Sequence, residues 1–224
     1  MKNIRWIAGT VAALLALGGA ALAADFSPTM TFELSDTKVG ANPEMSIHVE
    51  QDSADEEELS HVTLRIPKGF NLPADEDIAG DSELGAGNIV IHAGFDCRSG
   101  PEGAIPIGAD PELPATLTEV DRTDDQADRG VHAVWNLDIT TVAEIVLEIT
   151  GSKKTGWLLD GDIPANDNTC PPLVFDMTVN SESEDGVPIL TNAKKAKTYK
   201  FGGTFTSAQS PTMVTLNQKI TLTK

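Results

Sequence analysis

The stretch V-H-A-V-W-N-L-D-I, Val131 to Ile139, decides the fold class. Val131, Ala133, Trp135, Leu137 and Ile139 fall on one phase of a two-residue repeat. That is the side-chain period of a strand with one face buried. A helix needs apolar residues at three- and four-residue intervals, and that periodicity is almost absent from this chain. The two-residue repeat recurs on both sides. Towards the N-terminus it runs through Val62, Leu64 and Ile66, through Met45, Ile47 and Val49, and through Thr29 to Leu34. Asn88 to Ala93 is also strand-like. Towards the C-terminus it runs through Ile145, Leu147 and Ile149, then Phe175, Met177 and Val179, then Tyr199, Phe201 and Phe205, and ends with Val214, Leu216, Ile220 and Leu222. Many short strands punctuated by Gly, Pro and Asp predict an all-β chain, an antiparallel β-sandwich of immunoglobulin-like or jelly-roll-like type. One short helix is expected at Asp124 to Arg129. Thr123 would cap it, Gln126 would close a capping box, and Gly130 would stop it.

Residues 1–23 have the three parts of a secretory signal: Lys2 and Arg5, an apolar run from Ile7 to Leu22, and the small-residue site Ala21-Leu22-Ala23. The mature chain is expected to be 24–224, a single domain. The apolar run falls short of the ~20 residues of a spanning helix, and no later segment is apolar enough to span a bilayer. The expected location is therefore extracytoplasmic: secreted, periplasmic or at the cell surface. In such an oxidising compartment the two cysteines, Cys97 and Cys170, are expected to form one disulfide, worth on the order of 4 kcal/mol for so long a loop. The stretch Gly100 to Pro114 reads as a linker between two halves, which that bond would cross.

The formal charge is -18, and the leader holds two bases and no acid, so its loss takes the charge to -20. Long-range repulsion disfavours nucleic acid and anionic membranes as partners. The charge is uneven. Every Asp and Glu lies at or before Asp185, whereas Lys194, Lys195, Lys197, Lys200, Lys219 and Lys224 follow it. These basic C-terminal strands either offset acidic neighbours or form a docking face for an anionic partner or a second copy of the chain.

Asp160 to Pro172, D-G-D-I-P-A-N-D-N-T-C-P-P, reads as a loop. Asp160, Asp162, Asn166, Asp167 and Asn168 offer hard oxygen ligands of the kind calcium takes, although the spacing is not that of an EF-hand. The competing assignment is a turn-rich loop bonding its own backbone. Trp157, in K-K-T-G-W-L-L-D, is the candidate platform for a sugar, with Lys153 and Lys154 beside it as ligand-binding candidates. Filling of the core by Trp135 and Trp157 is the favoured reading. His48, His61 and His132 are expected to be exposed, and His48 and His61, if cross-strand neighbours, able to share an adventitious metal. Ser35-x-x-Lys38 and Lys154-Thr155-Gly156 match two motifs of the penicillin-recognising enzymes, but Gly40 and Pro43 preclude the helix that serine needs. No enzyme is expected.

Ser35 to Met45, S-D-T-K-V-G-A-N-P-E-M, with R-I-P-K-G-F at Arg65 to Phe70, resembles the opening of uncharacterised bacterial secreted and surface β-sandwich proteins. The resemblance covers about the first fifth of the mature chain and implies a sandwich and export, with no active site. The function expected is a non-catalytic secreted or surface binding or structural module, with a protein or glycan at the cell surface as partner. A calcium-stabilised carbohydrate-binding module is the alternative.

Overall fold

The computed structural model describes residues 26–51, 59–91, 112–139, 143–163, 172–207 and 212–224. The chain is all-β. Its strands are β1 Thr29–Leu34, β2 Met45–Glu50, β3 Leu59–Ile66, β4 Glu83–Ile91, β5 Glu112–Val120, β6 Val131–Ile139, β7 Ala143–Ser152, β8 Gly156–Asp162, β9 Pro172–Val179, β10 Thr198–Ser207 and β11 Met213–Thr221. The one α-helix among the described residues is α1, Asp124–Asp128. It forms as expected: Thr123 Oγ1 accepts from the Gln126 N–H at 3.2 Å, and Gln126 Oε1 accepts from the Thr123 N–H at 2.9 Å. Gly130 then adopts a left-handed φ of 78°, which ends the helix. No helix among the described residues is long and apolar enough to cross a membrane.

The expected pair of packed sheets is replaced by one sheet. All eleven strands are hydrogen-bonded in the order β1-β2-β9-β4-β5-β6-β7-β8-β3-β10-β11, and every pairing is antiparallel. The sheet curls until β1 meets β11, nearly closing a barrel. Alternation predicts a buried face but cannot say whether that face meets a second sheet or its own far side. An odd number of alternating strands leaves the two end strands parallel, so they cannot zip with an antiparallel ladder. Instead the Gln218 side chain imitates a peptide: its Oε1 accepts from the Phe32 N–H at 2.6 Å and its Nε2 donates to the Phe32 carbonyl at 2.8 Å. A parallel bridge, Lys38↔Thr223, completes the contact.

Inward residues form one contiguous core. On β2, Met45, Ile47 and Val49 are buried while Ser46, His48 and Glu50 face outward. Phe201 stacks near Phe32 and Phe70, with ring centroids 5.3 and 5.1 Å apart, and Tyr199 meets Phe70 edge-on at 5.1 Å. Two elements depart from the sequence reading. β5 occupies the end of the stretch read as a linker. Pro114 lies within it opposite Asn88 of β4, and the register with β6 is described from Ala115 to Val120. β8 extends through Asp162, so Asp160 and Asp162 stand on a strand rather than in a loop.

The barrel has two unlike ends. At one lie the starts of β3, β5, β7, β9 and β11. At the other lie the β1–β2, β3–β4, β5–β6, β7–β8 and β9–β10 connections and the end of β11. The candidate site is at this second end.

Candidate functional site

Three segments far apart in sequence converge on one pocket of about 310 Å3, lined by Lys68, Gly69, Lys153, Lys154, Ala193, Lys194, Lys195, Lys197 and Tyr199. Six of the chain's sixteen basic residues thus face one cavity, in a chain of charge -18. Lys153 and Lys154 sit at the tip of the β7–β8 hairpin, closed by the Thr155 N–H donating to the Ser152 carbonyl at 3.1 Å. The Gly69 N–H donates to the Lys153 carbonyl at 2.8 Å, which ties the segment after β3 to that hairpin. Gly69 has φ 102°, and a Cβ there would lie 3.0 Å from Ala193 Cβ, so only glycine keeps the pocket wall in this form.

The third segment is fastened on both sides. Asn71 and Thr191 exchange backbone hydrogen bonds of 3.0 and 2.9 Å. Asn192, buried, donates through Nδ2 to the Asp36 and Lys38 carbonyls, each at 2.8 Å. Beyond it, the Tyr199 hydroxyl donates to the Lys195 carbonyl at 3.0 Å, and Lys197 Nζ stands 4.7 Å above the Tyr199 ring. Burial pushes the Tyr199 phenol above its ordinary value, so it stays a neutral donor. Among the described residues the ion pairs involve His48, His61, Arg122 and Arg129, and none of the six pocket lysines. All six are exposed.

The other sequence-nominated residues lie elsewhere. Trp157 is 3% exposed, its Nε1 donating to the Phe70 carbonyl at 3.0 Å, with the His132 ring 4.5 Å from its own. It is a core residue and offers no ring face to a sugar, because β8 turns it inward. Its neighbours Lys153 and Lys154 belong to the pocket. His48 and His61 are not cross-strand neighbours: β2 lies between β1 and β9, and β3 between β8 and β10. His48 Nδ1 is 2.6 Å from Asp176 Oδ1.

On the outer surface near the far end, His61 Nδ1 donates to Asp162 Oδ1 at 2.7 Å, His61 Nε2 lies 3.1 Å from Asp160 Oδ1, and Thr63 donates to the same oxygen at 2.6 Å. Burial lowers the His61 pKa, but the Asp162 hydrogen bond and the Asp160 charge outweigh it and leave the imidazole raised. Asp160 and Asp162 therefore have the His61 imidazole as an internal hydrogen-bond partner. Asn166, Asp167 and Asn168 lie outside the described residues, as do Cys97 and Cys170. Among the described residues no group of three or more His, Cys, Asp or Glu side chains is placed to hold a metal.

One charged group escaped the sequence reading. Glu119 is 1% exposed on the inward phase of β5, opposite Trp135. Burial first, then the Asp75 charge, push its carboxyl up to about 8, with the Trp135 N–H opposing. The signal was there in A-T-L-T-E, where Ala115, Leu117 and Glu119 share the apolar phase.

No protein-family model matches the chain, and no curated protein matches its sequence.

Proposed function

We propose that this is an extracytoplasmic, non-catalytic binding module that holds an anionic ligand in the lysine pocket. The observation that carries this is the convergence of Lys68, Lys153, Lys154, Lys194, Lys195 and Lys197 on one cavity, with none of them in an ion pair among the described residues. In a chain of charge -18 there are acids enough to neutralise every lysine. Keeping six like charges together without partners costs stability through mutual repulsion, and an anion bound among them relieves it. Extracytoplasmic placement rests on the leader at residues 1–23. The non-catalytic reading is supported by the pocket's composition: its lining holds no carboxylate or imidazole to serve as a general base beside its lysines and Tyr199.

The test is binding of dextran sulfate followed against salt. Lys153→Glu with Lys154→Glu should weaken binding at least about tenfold, as two attractive contacts become repulsive. Lys200→Glu with Lys219→Glu changes the net charge equally on a cross-strand pair outside the pocket, and should change affinity less than about threefold. Equal losses in the two double variants would refute the pocket as the site.

A further inference from the structure

Resting on the anion-binding reading, we infer that the pocket takes a compact polyvalent oxyanion: two or more phosphate or sulfate groups carried on one small unit or one chain end, entering end-on.

The first reason is the donor inventory. The polar side chains of the lining are six ammonium groups and one phenol, and the phenol already donates to the Lys195 carbonyl. The Gly69 N–H is spent on the Lys153 carbonyl. The lining carries no carboxylate or amide side chain to accept a hydrogen bond from a ligand's hydroxyl. A neutral sugar, which must donate as well as accept, finds no complement there. A group made of acceptors alone does.

The second reason is charge density. The pocket has a volume of about 310 Å3. One carboxylate in that space leaves most of the six lysines facing one another. Several phosphates or sulfates on adjacent atoms offset them within the same volume. The absence of arginine among the lining residues matters as well. Lysine is a point charge on a flexible stem, whereas arginine's fork selects one group's geometry. The site counts charges rather than reading a particular oxyanion, so phosphate and sulfate are both accepted.

The third reason is what surrounds the pocket. The same end of the barrel carries exposed Glu76, Asp77, Glu182, Glu184 and Asp185 on the β3–β4 and β9–β10 connections. A planar anionic membrane pressed on this end, or the middle of a long polyanion laid across it, would meet those carboxylates. A compact ligand or a chain end reaches the lysines alone, and at physiological salt the carboxylates beyond ~8 Å are screened from it.

The test is calorimetric titration of the exported protein at matched ionic strength with five probes: sucrose octasulfate, tripolyphosphate, size-fractionated heparin oligosaccharides, polygalacturonate, and vesicles containing phosphatidylglycerol. Sucrose octasulfate and tripolyphosphate should each saturate one site per chain, and their ratio tells a sulfated-sugar source from a free-phosphate source. Lengthening the heparin chain should leave affinity per chain end unchanged. Polygalacturonate, with one carboxylate per ring, and the vesicles should bind at least about tenfold more weakly. Lys153→Gln with Lys154→Gln, and separately Lys194→Gln with Lys195→Gln, should each lower affinity for sucrose octasulfate about tenfold with the melting temperature kept. Affinity that grows with chain length, or equal binding of vesicles or polygalacturonate, would overturn the compact-ligand inference and leave anion binding standing. Salt-insensitive or absent binding of every probe would overturn both.

Discussion

Replacing Glu119 by glutamine should remove a specific part of the protein's pH dependence. Glu119 is fully enclosed, with its carboxyl pushed from 4.5 to about 8 by burial and by the Asp75 charge. Between those values the folded form holds a proton that the unfolded chain has released. The stabilisation from the neutral carboxyl is complete below pH 4.5 and is lost as pH rises through 8. The slope is at most about 1.4 kcal/mol per pH unit, or at most about 5 kcal/mol across the interval. Glutamine keeps the shape, stays neutral throughout, and has no such slope. Urea unfolding of both proteins at pH 4.5, 6, 7.5 and 9 isolates the effect, because the remaining acids are common to both. Near pH 4.5 the variant should differ by no more than about 1 kcal/mol, the worth of one neutral hydrogen bond. At pH 9 it should be the more stable by several kcal/mol. Parallel curves for the two proteins would refute the account, since they would mean that Glu119 ionises normally and is hydrated.

Two further outcomes are expected. Gln218→Leu leaves the Phe32 N–H and carbonyl without the side-chain partner they have at the seam; it should lower unfolding free energy by about 2–3 kcal/mol and cut hydrogen-exchange protection of the Phe32 amide selectively. Cys97 follows β4 and Cys170 precedes β9, and these strands are paired at Ile91↔Pro172; alkylation of unreduced exported protein should therefore add no label by intact mass, and two labels per chain would reject the disulfide.

The strands were legible wherever alternation was clean. The face of Val131 to Ile139, the pattern from Met45 to Val49 and the cap at Thr123 all appear as read. β5 was hidden by Pro114, because proline usually ends a strand and nothing local says that this one lies within it. β8 was not read as a strand, because Asp160-Gly161-Asp162 has turn composition. Gly161 is in fact on the inward phase, where a Cβ would lie 2.7 Å from a Leu147 methyl. The site was half legible. Lys153, Lys154 and the basic C-terminal run were each noticed, but Lys68 was not, and nothing local says that positions 68, 153 and 194 share a cavity. That fact belongs to strand order, since β8, β3 and β10 become neighbours only after the sheet is assembled. Trp157 fills the core, the reading favoured from the sequence, and its pairing with Ile66 of β3 fixes which way it faces.

The Phe32–Gln218 contact joins residues 186 positions apart, and it sets an order of events. The chain emerges N-terminus first, so β1 must wait with its outer edge bare until β11, the last strand, has been delivered. Throughout that interval the protein is an open, growing sheet whose first edge can capture any extended segment, including another copy's β11. Strand partners this distant in sequence place folding in the millisecond-to-second range typical of β topologies. Closure by one side-chain amide and the short Lys38–Thr223 bridge, rather than a full ladder, also makes the last step the easiest to reverse. The seam is thus where a chain crossing a membrane would be most exposed to exchange with its neighbours, and where a holding chaperone would gain most by binding.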